Sequence, residues 1–570
     1  MPAVSRLRVL QSGDDAFLAW QIDARIPGLA GFAVQRRGTV GGKAIGPVFL
    51  VTWVGFAQEA PAAGAFSGAA RPSTVWPVQK FTWLDFDVSE GDTLSYQIVP
   101  MTGAPGALQA QMESASGWSE PVSISSEGDR GIRVFFNRGI VASQWLARAL
   151  SGSATPKKTL MQDVTTPGNT VRNMLGGPLR TAMLARLQKA IADQVEVYAA
   201  LFQLSDPELL PLLLTLGPRL HIVLSNGSVP SSAQDQNSDA RAQLRNAKVD
   251  VVDRMKANSH FGHNKFVVFC DANGKAAEIW TGSTNWTATG LCTQHNNGIL
   301  IQNPALAQAY VDYWNRLKAA GNDNTKALED GNSAVPNPYP VSTGSADFWA
   351  CPINNLIDIK SASALINQAQ HGILFLMFDP GSSGTLLNAI DQRAQASSPT
   401  YDANLLIYGV VNQPINNSGI RFGLDTRGDL QTHETNAAEQ ILTPSNISTA
   451  FGYWKDELLR ADLVAVHSKI IVLDPFSDHP VVMTGSHNMG PKASSGNDDN
   501  LLVLHDCKNI AAMYAVNIMA TYHEYRWNTL AHDQKTSPTA WQGLEAGDTW
   551  QDKYLADGAE KRELGFWFGG

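Results

Sequence analysis

His467-Ser468-Lys469-Ile470-Ile471-Val472-Leu473-Asp474, followed by Thr484-Gly485-Ser486-His487-Asn488, decides the reading of this chain, because the pattern also stands earlier. The earlier copy is His263-Asn264-Lys265-Phe266-Val267-Val268-Phe269-Cys270-Asp271, followed by Thr281-Gly282-Ser283-Thr284-Asn285. From the aspartates onward the copies keep an offset of 203 (474 − 271, 486 − 283, 488 − 285), which still holds where Asn296-Asn297 faces Asp499-Asn500. The histidines are 204 apart (467 − 263), so the first copy has one extra residue between histidine and aspartate. A β-bulge between Lys265 and Asp271 is predicted to absorb it. Repetition on this scale means two copies of one domain.

Residues two apart on a strand share a face, so His467 and Lys469 are expected to project together while Ile470 and Val472 pack the other way. The strand Val481–Thr484 is expected to return beside the first and end at Gly485-Ser486, where small side chains admit a substrate. An imidazole, an ammonium, a hydroxyl and an amide then converge, which suits an anionic phosphate: the lysine neutralises charge, the hydroxyl and amide donate hydrogen bonds, and the histidine forms a bond or moves a proton.

The doubled motif resembles that of the phospholipase D superfamily, HxKxxxxD followed by GSxN, over about residues 131–540. The resemblance implies two tandem α/β lobes related by a pseudo-twofold axis, with one active site between them. It implies a catalytic set of His263, Lys265, His467, Lys469, Asp271 and Asp474, with phosphate contacts from Ser283, Asn285, Ser486 and Asn488. One histidine attacks phosphorus and the other protonates the leaving oxygen, then activates water or an alcohol; no metal or other cofactor is implied. His263 is assigned to attack and His467 to acid–base work. The first motif is irregular, with Cys270 where its aspartate should stand, and reversed roles remain open. His260, His295 and His487 lie near motif positions, and His433-Glu434 reads as surface.

The flanks fill in the architecture. Strand-like Ile132–Phe136, helical Leu179–Ala192, strand-like Val195–Leu204, helical Pro207–Leu216 and strand-like Leu220–Ser225 alternate as in an α/β layer structure, and the scheme returns beyond Ser345. Residues 131–330 are expected as the first lobe, 345–540 as the second, 541–570 as a C-terminal tail, and Asn322–Gly344 as a linker. Residues 1–128 carry short strand-like runs such as Phe17–Ile22 and Thr93–Val99 between Gly- and Pro-rich turns. They predict a β-sandwich similar to a fibronectin type III domain, with Trp20 and Tyr96 in its core.

With 44% hydrophobic and 17% charged residues, the 570-residue chain is a folding sequence and not a disordered one. Its net charge of −9 gives no global attraction to nucleic acid. The four cysteines show no CxxC pair, which argues against a zinc site or a disulfide framework. No leader-like apolar run opens the sequence, and the most apolar stretch, Leu209–Leu216, contains Pro211. A cytoplasmic protein is therefore expected, with export by a route that needs no cleavable signal as the alternative; a monomer is expected, with at most transient contact at a membrane surface. The expected activity is phospholipase D-type cleavage of a phospholipid head group. A DNA or RNA nuclease, a transfer to an alcohol and an inactive phosphate-binding module are the alternatives.

Overall fold

The computed structural model describes residues 2–57, 70–139, 153, 155–257, 260–334, 338–412, 441–442, 466–536 and 543–569. His433 and Glu434 lie outside them. The chain divides into two compact units, one built on Met1–Ser126 and Ala512–Gly570, the other on Glu127–Asp425 and Thr435–Ala511.

The first unit holds two larger antiparallel sheets and a two-stranded one, Val51–Thr52 with Arg71–Pro72. One of the larger sheets orders Val4–Gln11, Ala16–Ile22 and Thr82–Asp85; the other orders Val122–Ser123, Thr93–Thr102, Leu29–Val40 and Lys43–Phe49. Trp20, Phe32 and Tyr96 fill the core between them, as the alternation of apolar residues predicts. Residues 543–569 are not a free tail. Trp550 and Leu564 belong to the same core, the Trp550 indole donates to the Leu29 carbonyl at 2.8 Å, and Trp567 packs 4.1 Å from the Phe17 ring. The sequence reading missed this because short helices such as Ala559–Trp567 bury their aromatics against strands far away in sequence.

The second unit contains two eight-stranded sheets. The first runs Glu127–Asp129, Ile132–Phe136, Asn297–Gln302, Ala276–Gly282, Lys265–Cys270, Val197–Leu201, Leu220–Ser225, Asp250–Arg254. The second runs Tyr339–Val341, Gly344–Ala350, Asn500–His505, Val481–Gly485, Ile470–Leu473, Gly372–Met377, Leu406–Val411, Ile441–Leu442. Strand order and the sequence of parallel and antiparallel pairings agree position by position. The duplication read from the motifs is thus a duplication of whole sheets. Each sheet contributes to its own apolar core, one around Leu179, Val267 and Trp280, the other around Ile373, Ile471 and Val503.

Two details refine the reading. The predicted bulge is present, as a register shift between Phe269 and Cys270 against the neighbouring strand. Asn322–Gly344 is more than a linker: it contains helix Lys326–Asn332, capped by the Thr325 side chain, and edge strand Tyr339–Val341. Its Asn-, Gly- and Pro-rich composition conceals both.

Candidate active site

The equivalent strands Ala276–Gly282 and Val481–Gly485 meet across the pseudo-twofold axis. The Thr281 hydroxyl donates to Asn500 Oδ1, and Asn297 Nδ2 donates to the Thr484 hydroxyl, both at 2.8 Å. The guanidinium of Arg254 grips the carboxylate of Asp498 from the other lobe through two bonds of 2.7 Å, with both side chains buried. These reciprocal bonds fix the two lobes as a frame, and a cavity of about 820 Å³ opens between them.

Both motif histidines line this one cavity. Each stands just before a strand rather than within one, since the strands begin at Lys265 and Ile470. The histidine and lysine are therefore brought together by the lysine reaching back: Lys265 Nζ donates to the His263 carbonyl at 2.6 Å, and Lys469 Nζ to the His467 carbonyl at 2.5 Å.

Each imidazole is held by the opposite lobe. His263 Nδ1 lies 2.8 Å from Asp499 Oδ1, and His467 Nδ1 lies 2.9 Å from Asn296 Oδ1. The carboxylate can only accept, so His263 carries its proton on Nδ1 and keeps a lone pair on Nε2. The Asn296 amide is oriented by its Nδ2, which donates to the Gly290 carbonyl at 2.8 Å, so its oxygen also accepts from the histidine. Asn296 and Asp499 are repeat equivalents. The signal that finds them is the unbroken offset; their pairing with the other lobe's histidine requires the twofold axis.

The motif serines orient these acceptors and are not on the cavity wall. Ser283 Oγ donates to Asn296 Oδ1 at 2.7 Å and Ser486 Oγ to Asp499 Oδ1 at 2.6 Å; both serines are fully buried. The expectation that they bind phosphate is corrected accordingly. The preceding glycines admit a neighbouring strand rather than a substrate, for a Cβ on Gly282 or Gly485 would come within 2.3 Å of the Asn297 or Asn500 carbonyl oxygen. Asn285 and Asn488 do line the cavity, and each has a buried Oδ1 without a hydrogen-bond partner.

Neither motif aspartate reaches the cavity. The Asp271 carboxylate accepts the backbone N–H groups of Asn273 and Lys275 in its own hairpin turn. Asp474 accepts those of Gln370, His371 and Gly372. Both sit at the far end of the strand from the histidine, where a carboxylate secures loops. His295 and His487 are also buried away from the wall; His295 Nδ1 meets Ser468 Oγ at 3.0 Å. His260 is exposed.

Two phenylalanines escaped the sequence reading. Phe202 and Phe378 follow equivalent strands, Val197–Leu201 and Gly372–Met377. The Phe202 ring lies 4.8 Å from the His263 ring and 4.9 Å from Lys265 Nζ; Phe378 lies 4.6 Å from both the His467 ring and Lys469 Nζ. Each ammonium therefore rests on an aromatic face, which steadies the cation without neutralising it.

Burial dominates the electrostatics. It lowers His263 to about 4, helped by Lys265 and opposed by Asp499, and lowers Lys265 to about 7. His467 and Lys469 are pushed well below their ordinary values, again chiefly by burial. Asp499 supports the charge of both ammoniums and Asp379 that of Lys469, and a phosphodiester monoanion suits a site with these buried cations. For a substrate whose leaving group needs no acid, kcat/KM is expected to rise as His263 loses its proton near pH 4 and to fall as Lys265 loses its charge from about pH 7 upward. A profile that stays flat to pH 10 would mean that Lys265 keeps ordinary basicity.

Cys351, Asp358 and His487 form a buried group with metal-ligand atoms. His487 Nδ1 accepts the Met489 N–H at 2.9 Å, so Nε2 carries the proton that faces Asp358 at 3.2 Å. That imidazole has no lone pair left for a cation, and the group reads as an internal hydrogen-bond lock.

Residues 181–318 match the family model described as cardiolipin synthase, PLD-like domain. Those residues form a phospholipase D-like domain. The doubled sheet extends the same architecture through the second lobe. No curated protein matches the chain. Among solved structures it is similar to phosphatidylserine synthase of Haemophilus influenzae Rd KW20, at 13% identity over 64% of this chain and 88% of that one, TM-score 0.40. It is also similar to the phospholipase D family member Nuc of Salmonella typhimurium, at 19% identity over 26% and 93%, TM-score 0.21. Yeast tyrosyl-DNA phosphodiesterase matches at 13% identity over 55% and 82%, TM-score 0.29. Likenesses this distant say nothing about what this chain acts on. No described helix is long and apolar enough to cross a membrane.

Proposed function

We propose that this chain is a metal-independent phosphodiesterase that works through a phosphohistidine at His263. The observation that carries the reading is the pair of imidazoles on one cavity, each anchored at Nδ1 by the opposite lobe. Nε2 of His263 attacks phosphorus; the bond to the leaving oxygen breaks, and Nε2–H of His467 supplies its proton. Neutral His467 then takes a proton from water, whose oxygen attacks phosphorus, and the phosphorus–nitrogen bond breaks to restore His263.

The asymmetry of the anchors supports this division of labour. Attack makes the His263 ring cationic, and the Asp499 carboxylate stabilises that charge. His467 faces a neutral amide, so once the bound phosphate has let it take a proton it gives that proton up readily. The amides of Asn285 and Asn488 line the phosphate's cavity, and the buried lysines behind the histidines supply positive charge to it.

The substrate in this reading is a phospholipid, cleaved at its head group. The −9 net charge suits it better than a nucleic-acid chain. Apolar Met161, Phe202 and Phe378 line the cavity beside the polar groups. An alcohol in place of water would make the same site a transferase. Turnover of bis(p-nitrophenyl) phosphate is expected to survive excess EDTA, because histidines and lysines supply nucleophile, acid and charge neutralisation. Complete loss, restored by one divalent ion, would contradict the proposal.

A further inference from the structure

The walls of the cavity nearly obey the pseudo-twofold axis, and the positions where they do not are informative. Phe202 answers Phe378, Asn285 answers Asn488, and Gln294 answers Asn497, all on the cavity wall. Charge breaks the pattern twice. Gln203, next to Phe202, is replaced by Asp379, next to Phe378, and Thr289 is replaced at the 203 offset by Lys492. Both charges belong to the second lobe, so that half of the cavity is dipolar and the other is neutral.

Asp379 is the only carboxylate on the described wall, and no described ion pair joins it to Lys492, whose ammonium lies 4.8 Å from the Phe261 ring. Its backbone is left-handed, with φ 39°, a conformation that costs energy at a residue other than glycine and is kept where the surroundings impose it. They do so here. The Pro380 carbonyl is packed against Gly490, where a Cβ would come within 2.0 Å of the oxygen, and the Leu386 N–H donates to the Met489 carbonyl at 2.9 Å. The Asp379 loop is thereby fastened to the segment that follows Asn488.

Asp379 is exposed and lies close enough to Lys469 to support that ammonium's charge; a phosphate that takes over Lys469 leaves the carboxylate to be met by a cation on the substrate. We infer that Asp379 is a specificity-determining residue that selects phosphodiesters with an ammonium group on one ester arm and disfavours polyanionic chains. The inference rests on the phosphodiesterase reading and narrows its substrate class. The ammonium-bearing arm lies toward the second lobe, and the other arm toward the neutral wall of Gln203 and Thr289. The discrimination is both attractive and repulsive: a charge-assisted hydrogen bond for the right diester, a repulsion for neighbouring phosphates of a nucleic acid.

The test compares glycerophosphoethanolamine with glycerophosphoglycerol, which lacks the ammonium, together with an oligothymidylate, in wild type and Asp379→Asn. Asparagine keeps the shape and tolerates the left-handed backbone. Wild type is expected to favour the ethanolamine diester by roughly tenfold or more in kcat/KM, the worth of one charge-assisted bond. The variant should lose that preference and gain rate on glycerophosphoglycerol and oligothymidylate, a gain that mere loosening of the loop would not give. Vesicles of phosphatidylethanolamine and phosphatidylglycerol form a parallel arm; the same ratio seen only on vesicles identifies a lipid head group, and seen on both it identifies the ammonium diester in general. Equal wild-type rates on the paired substrates in both arms, or an unchanged ratio in the variant, overturn the inference. Absence of turnover even on bis(p-nitrophenyl) phosphate would instead overturn the phosphodiesterase reading beneath it.

Discussion

His467→Asn, given a substrate with a good leaving group, is expected to form phosphohistidine at His263 and stop there. The first step needs no acid with such a substrate, so the free Nε2 of His263, held in place by Asp499, can still attack. The second step needs His467 to deprotonate water, and the variant has no group for this. Radiolabel from the phosphorus should therefore accumulate on the peptide containing His263. On an ordinary substrate each His→Asn variant should lose at least about a hundredfold in rate, since acid–base help alone is worth that much. His263→Asn should bind substrate and trap nothing. Label on His467 in that variant would reverse the assignment. No label in either, with wild type active, would argue for direct attack by water.

The Asp499→Asn variant is the second large effect. Asp499 accepts from His263 Nδ1 and from Ser486 Oγ, and Asn497 Nδ2 approaches its other oxygen at 3.3 Å. An amide keeps the shape but removes the charge that stabilises the cationic phosphohistidine. If its NH₂ turns toward His263, the proton moves to Nε2 and the nucleophile is lost. A drop of about 10²–10⁴ in kcat/KM follows, the range seen when a carboxylate behind a catalytic histidine is neutralised. Asp499 also holds the Lys265 pKa up against burial, so the alkaline limb of the pH profile should move below about pH 7. Asn296→Asp, the converse change in the other lobe, should raise the basicity of His467 and cost far less. Equal losses from the two substitutions would show that the histidines do not have distinct roles.

Much of this was legible in the sequence because duplication leaves a long signal. Two strand motifs at a fixed offset predict two sheets, and the one-residue irregularity predicts a bulge at a definite place. The histidines and asparagines expected at a phosphate site line one cavity. Spacing does not encode depth, however. Ser283 and Ser486 sit in the motif beside Asn285 and Asn488, yet the serine hydroxyls turn inward to orient Asn296 and Asp499. Asp271 and Asp474 occupy motif positions and secure turns. Phe202 and Phe378 stand in apolar strand runs whose residues look alike until the sheets are assembled; only then do they lie over the lysines. The C-terminal helices were hidden for a similar reason, since nothing local marks Trp550 as part of a core with Trp20.

The central claim is that His263 and His467 serve one phosphorus in one cavity. The most direct measurement is a crystal structure of the wild-type chain with orthovanadate, which adopts the five-coordinate shape of phosphoryl transfer. One vanadium per chain is expected, bonded to Nε2 of His263, with an apical oxygen facing Nε2 of His467 and the amides of Asn285 and Asn488 on the equatorial oxygens. Vanadate bound at one histidine with the other turned away, or two vanadates in separate pockets, would contradict the single shared site.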